Sequence, residues 1–178
     1  STAIKIKSEL TKDTKVKLID GRNLNFEELI KENKIGKKNN TYTVNDSGFI
    51  SIAEIKNPRL TRKNAEIVKV VLDNGEEIRC TPDHRFMTRN GFYKEAKELQ
   101  PSESLMPIYQ KLSEKTDKLN REGYILVYQN ITNEWVPVHY LADVYNLNAK
   151  KYLKSDGKIR HHIDFNKLNN NPDNIVRM

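Results

Sequence analysis

The chain has 178 residues, with 31 Lys+Arg against 24 Asp+Glu and a net charge of +7, the size of one domain or two small ones. It contains no apolar run long enough to span a membrane, and its opening STAIKIKSEL lacks the apolar core of a signal peptide, so an intracellular protein of bacterial or phage-like context is expected, with no membrane partner. Cys80 is the single cysteine, which excludes a disulfide framework or a multi-cysteine zinc site. The surplus charge suits a polyanionic partner but is also an ordinary solubility device.

Along the chain, Lys15–Ile19 reads as a strand before the turn signal Asp20-Gly21, and Asn25–Ile30 as one or two helical turns. Ile50–Ile55 and Ala65–Leu72 are β-like, and Asp73-Asn74-Gly75 turns the second into Glu77–Cys80. Arg89-Asn90-Gly91 is a further tight turn, because Asn and Gly tolerate the positive φ that two-residue hairpins demand. Short strands with closely spaced turns imply a mainly β fold: an all-β module over residues 1–110. Residues 111–122, charged and without an apolar face, are expected to be a linker. Residues 123–178 then read as a small α+β module. Tyr124–Tyr128 and Glu134–Val136 are its strands, and His139–Leu147 is a short helix from the spacing of Val138, Leu141, Ala142 and Tyr145.

Two stretches carry chemistry. The first runs from Arg160-His161-His162-Ile163-Asp164-Phe165-Asn166-Lys167 through Asn169-Asn170-Asn171-Pro172-Asp173-Asn174-Ile175. Two adjacent histidines in a polar, Asn-rich loop are on their own a solvated surface as readily as a site. As a whole the stretch resembles the HNH nuclease motif, a ββα metal-binding hairpin and helix. The resemblance implies metal-dependent cleavage of double-stranded DNA, with His162 as general base, Asn174 orienting its ring and His161 ligating a divalent ion, most readily Mg²⁺. Imidazole titrates near neutrality, which suits a base that activates water. Arg160, Lys167 and Arg177 are then expected to contact phosphates. A His or Asn on a following helix, the motif's third element, is not found after Asn174, so the site is expected to be weak unless another segment completes it.

The second stretch is Cys80-Thr81-Pro82-Asp83-His84-Arg85-Phe86-Met87, flanked by Val70–Ile78 and Lys94–Leu105. It resembles the Thr-x-x-His block of the Hint domain of inteins, and Leu10–Leu18 with Asp20-Gly21-Arg22 resembles the intein N-terminal block. That likeness implies protein splicing, with Thr81 and His84 polarising the peptide bond at the N-terminal junction and His84 protonating the leaving nitrogen, since an unassisted amide nitrogen is a poor leaving group. A structural role for His84 is the alternative, and Cys80 reads as a small core residue. The nucleophile position falls on Glu9, which cannot perform the acyl shift, and Ser8 serves only in a slipped register. The His-Asn pair that closes inteins is not found, so a complementary C-terminal fragment is an expected partner.

Lys56, Arg59, Arg62 and Lys63 form a basic run, and Lys34, Lys37 and Lys38 a second cluster. Either is a solvated loop or a set of phosphate contacts. The leading expectation is an intein-derived HNH homing endonuclease. The alternatives are the N-terminal half of a split or degenerate splicing element and a DNA-binding relic without catalysis.

Overall fold

A computed structural model describes residues 14–58 and 67–178. Glu9, Arg59, Arg62 and Lys63 lie outside the described residues. The fold is mainly β, built from antiparallel hairpins, and accords with a Hint-like all-β module.

Val16–Lys17 (β1) pairs with Asn23–Leu24 (β2). The turn between them needs Gly21, which sits at φ +93°, a region other residues enter only with strain. Phe26–Lys34 (α1) starts at a capping box: the Asn25 side chain accepts the Glu28 N–H at 2.9 Å, and the Glu28 carboxylate accepts the Asn25 N–H at 3.0 Å. Phe26 and Leu29 fall on the buried face of this helix, against Val16, Leu18 and Ile55. Burial of side chains of this size contributes about 1.5–3 kcal/mol each.

Asn40–Val44 (β3) pairs with Ile50–Glu54 (β4) over five residue pairs. All five residues of β3 are buried. Tyr42 and Val44 alternate with Thr41 and Thr43 and enter the core, but the strand was not among the expected elements. Its burial is tolerable in part because the Thr41 hydroxyl donates to the Lys17 carbonyl at 2.8 Å. Val68–Val71 (β5) with Glu77–Cys80 (β6) and Arg85–Met87 (β7) with Tyr93–Glu95 (β8) are two further hairpins. Each turns at an expected Asn-Gly pair, with Gly75 at φ +84° and Gly91 at φ +89°.

Gln110–Leu112 (β9), Ile125–Gln129 (β10) and Glu134–Pro137 (β11) form one sheet, ordered β11-β10-β9. The expected linker therefore begins inside a strand. Ser113 is buried too: its hydroxyl donates to the Arg121 carbonyl at 2.6 Å and accepts the Tyr124 N–H at 3.0 Å, which clamps residues 113–124 into a closed loop. Val138–Asn148 (α2) lies near the expected helix limits. Arg160–His162 (β12) and Ile175–Arg177 (β13) pair antiparallel at the end of the described fold.

One apolar cluster joins Ile19, Tyr42, Val44, Ile50, Ile52 and Met87 to Val127, Val138, Ala142 and Ile175. Residues from both sides of 111–122 thus share a core. The Gln129 carboxamide reinforces the junction as a backbone amide would, donating to the Ile50 carbonyl at 2.8 Å and accepting the Ile50 N–H at 2.8 Å.

Candidate functional site

Two histidine-bearing loops define the candidate sites. The first leaves β6 at Cys80, whose side chain is buried. The Thr81 carbonyl accepts the His84 N–H at 3.1 Å, closing a turn over Pro82 and Asp83. The segment after β8 holds this turn from outside: Ala96 N–H donates to the His84 carbonyl at 2.8 Å and Lys97 N–H to the Pro82 carbonyl at 3.0 Å. The His84 ring is half-buried and meets Phe86 edge-on, with centroids 4.8 Å apart. Thr81 is buried, and its hydroxyl has no hydrogen-bond partner among the described residues. An unmatched buried hydroxyl costs about 1–3 kcal/mol.

The second loop joins β12 to β13. His162 is 5% exposed and its ring faces His139 at 5.2 Å between centroids, with Tyr124 at 5.9 Å. Its Nε2 lies 2.9 Å from Asn170 Oδ1. The Asn170 amide is oriented by Nδ2 donating to the Leu168 carbonyl at 3.4 Å, so Oδ1 accepts, Nε2 carries the proton and Nδ1 is the basic nitrogen. Asn170, and not the expected Asn174, therefore holds the His162 ring. Asn174 lies in the short 3₁₀ turn Pro172–Asn174, where its side chain closes the base of the loop. It accepts the Asp164 N–H at 3.1 Å and donates to Asp164 Oδ1 and the Asn169 carbonyl, both at 2.8 Å. Asp164 also accepts the Asn166 N–H and the Asn169 amide at 2.8 Å each. Burial would raise the Asp164 carboxyl, but the bonds from Asn169 and Asn174 outweigh it and hold the group below its usual range.

His139, at the start of α2, is 4% exposed, and its Nδ1 has no partner among the described residues. Burial, then the neighbouring His162 and Arg160, push its pKa down to about 3. His139 escaped sequence reasoning because only the tertiary fold brings α2 against β12.

Asp143, one turn further along α2, carries the hairpin. Arg177 Nε and Nη2 donate to its carboxylate at 2.8 and 2.6 Å, Arg160 Nε at 3.1 Å and the Tyr152 hydroxyl at 2.9 Å. Burial opposes the charge of Asp143, yet bonds from Arg177, Tyr152 and Arg160 hold the carboxyl below its ordinary value. Arg160 and Arg177 face each other across β12 and β13, so one buried acid ties both strands to α2.

Both arginines expected to contact phosphates are thus bonded to Asp143. The Arg177 side chain is only 7% exposed and committed to Asp143, and the Arg160 guanidinium, also held there, covers the Tyr140 ring at 4.2 Å. Lys167 remains at the surface, with Nζ donating to the Glu122 carbonyl at 3.0 Å and lying 4.9 Å from the Tyr124 ring centroid. Lys56 is exposed. His161 is half-buried, with its ring edge-on to Phe165 at 5.0 Å.

Among the described residues no three His, Cys, Asp or Glu side chains converge as a metal site. The Asp164 carboxylate is occupied by amide donors, leaving His161 as the expected ligand for Mg²⁺. A single imidazole does not fit a hard cation that seeks oxygen ligands.

Comparison with known proteins decides the family. The Intein splicing domain matches residues 16–171. This chain belongs to that family. It is 46% identical over 167 residues to the DNA gyrase B protein of Synechocystis sp., a match that covers 93% of this chain and 16% of that protein. It is 28% identical over 137 residues to the Replication factor C small subunit of Methanocaldococcus jannaschii, across 76% of this chain and 7% of that protein. The chain thus spans less than a fifth of the length of either relative. The match to the splicing domain covers both histidine loops up to Asn171. Nothing in these comparisons points to an HNH endonuclease. Among the described residues, no helix is long and apolar enough to cross a membrane.

Proposed function

We propose that the chain is part of a protein-splicing element whose Thr81–His84 loop activates the peptide bond at the N-terminal junction. The buried, unmatched Thr81 hydroxyl beside the His84 turn carries this reading. Similarity to two proteins of different name, each over a small share of its length, is what an inserted element predicts. Thr81 donates a hydrogen bond to the carbonyl under attack. A nucleophile at position 9 adds to that carbonyl, the carbon–nitrogen bond breaks, and His84 gives a proton to the departing amine nitrogen. Glu9 is not such a nucleophile, so the native chain keeps the activating loop without the attacking group.

The test restores that group. With Glu9→Cys, thiol should release residues 1–8, seen as a mass loss. Adding His84→Ala should slow release by about a hundredfold or more, the usual range for a general acid, and Thr81→Val should slow it as well. No release from Glu9→Cys, or release indifferent to both substitutions, overturns the proposal.

A second reading is favoured by one observation: His162 sits on an ordered hairpin with its tautomer set by Asn170. In this reading the β12–β13 segment is a nucleic-acid-cutting module of HNH type with double-stranded DNA as substrate, and His162 Nδ1 is its base. Plasmid relaxation lost in His162→Ala is its test.

A further inference from the structure

A general acid has to aim its proton, and the backbone of the Thr81–His84 turn does only part of the aiming. The His84 N–H is spent on the Thr81 carbonyl at 3.1 Å, and the His84 carbonyl accepts the Ala96 N–H at 2.8 Å. Those bonds fix the main chain at this residue. They do not set the two side-chain torsions of the imidazole, and an error in either swings the proton off the departing nitrogen. Misplacing a reacting group by about 1 Å can cost about a hundredfold in rate. A contact to the ring itself is needed.

Phe86 makes that contact. Its ring meets the His84 imidazole with 4.8 Å between centroids and 77° between planes, inside the separation and close to the right angle that aromatic pairs favour. Phe86 is half-buried, yet it belongs to neither apolar cluster of the described residues. Its neighbour Met87, on the opposite face of β7, is the residue that enters the core. The register of the hairpin comes from the pairing of Arg85–Met87 with Tyr93–Glu95 and from the turn at Gly91, neither of which involves the ring. Core packing and strand pairing thus leave the Phe86 ring unaccounted for, and its contact with His84 remains.

We propose that Phe86 is a positioning residue for cleavage at the N-terminal junction: its ring fixes the rotamer of His84 so that the imidazole delivers its proton to the departing amine nitrogen. The inference rests on the splicing reading above and adds to it a residue outside the Thr81–His84 turn. The balance of the step is unchanged. The carbon–nitrogen bond breaks, His84 supplies the proton, and Phe86 touches neither atom. What the ring contributes is orientation, which a flat, rigid aromatic side chain gives and a flexible aliphatic one does not.

The experiment uses the full chain carrying Glu9→Cys, with thiol-induced release of residues 1–8 followed by mass. Adding Phe86→Leu should slow release by about two- to tenfold, the range an aromatic pair supports beyond its buried area. Phe86→Tyr keeps the ring and should release at close to the parent rate. Phe86→Met is a second ringless variant and should slow release as Phe86→Leu does, so loss of fold in one, seen in its urea midpoint, does not leave the question open. The deciding arm repeats the ringless change in the His84→Ala background, where an orienting ring has nothing to orient and the further slowing should vanish. A ring that only holds the hairpin would slow release in both backgrounds, and that result overturns the inference. In the native chain, the His84 ring-proton resonances should move with Phe86→Leu and stay close to their place with Phe86→Tyr. Release that needs His84 but runs at the parent rate without the Phe86 ring overturns the inference and leaves the splicing reading standing, as does Phe86→Tyr releasing as slowly as Phe86→Leu. No release from Glu9→Cys defeats the splicing reading and this inference with it.

Discussion

The two histidine loops differ in how they spend their polar atoms. Around His162, Asn170 takes the ring, Asn174 and Asn169 take Asp164, and Asp143 takes both arginines of the hairpin. Around His84, backbone bonds shape the turn, but the Thr81 hydroxyl is buried with nothing to bond among the described residues. The first loop is a finished scaffold, and its stability should collapse when a member is removed. The second contains a group whose desolvation is uncompensated until something else arrives.

Removing the keystone of the finished loop should have the largest effect. Asp143→Ala leaves two guanidinium groups without their buried counter-ion. Breaking a buried pair from one side costs about 3–5 kcal/mol. Urea unfolding should register that loss as a lower midpoint. A loss below about 1 kcal/mol, typical of surface pairs, would mean that solvent reaches the arginines and that the hairpin is not anchored as described.

A smaller effect comes from His139, which sharpens the comparison because its Nδ1 is an unmatched side-chain nitrogen beside the finished loop. Its folded pKa of about 3 lies below the ordinary histidine value near 6.5. The unfolded chain therefore binds the proton more readily, so stability falls as pH drops below about 6.5 and the loss levels off only near 3. The slope approaches about 1.4 kcal/mol per pH unit below pH 6. Asp143 and Asp164, both held below the ordinary carboxylate range, add losses of the same sign, but only as pH falls through that lower range. Unfolding at pH 7, 6 and 5 isolates the histidine, and His139→Phe should flatten that interval while leaving the drop below pH 4. An unchanged profile would show that His139 is solvated in the folded state.

How much of this was legible beforehand depends on the range of the interaction. Turns at Gly21, Gly75 and Gly91, the helical turn from Asn25 and the strand at Glu77–Cys80 are local, and the residues that make them lie within a few positions of each other. Strand β3 was not, because only two of its five residues are apolar and Thr41 finds its partner 24 residues away. The Asn-rich loop was legible as a polar loop but its wiring was not: several asparagines are near His162, and only the folded path selects Asn170 over Asn174. Arg160 and Arg177 looked like surface cations because their acid, Asp143, is 17 and 34 residues distant. The charged stretch 111–122 read as a linker because its anchor is Ser113, a single buried hydroxyl inside a run of charges.

The smallest expected effect on stability is the most discriminating between the loops. Thr81→Val keeps the shape of the side chain and replaces an unmatched hydroxyl with a methyl group. Where a buried polar group has no partner, its removal forfeits no hydrogen bond and relieves a desolvation cost. The variant should therefore unfold at the same urea concentration as the parent or slightly higher, by up to about 1 kcal/mol. The same change at a satisfied threonine behaves oppositely. Thr41→Val, which deprives the Lys17 carbonyl of its donor at 2.8 Å, should cost about 1 kcal/mol or more. The pair is measured side by side in one urea titration. If Thr81→Val falls as far as Thr41→Val, the Thr81 hydroxyl has a partner in solution and the His84 loop is as finished as the His162 loop. If Thr81→Val stands level or rises while release of residues 1–8 from the Glu9→Cys chain is lost, stability and chemistry have been separated at a single oxygen atom, as expected of a group kept for reaction rather than for folding.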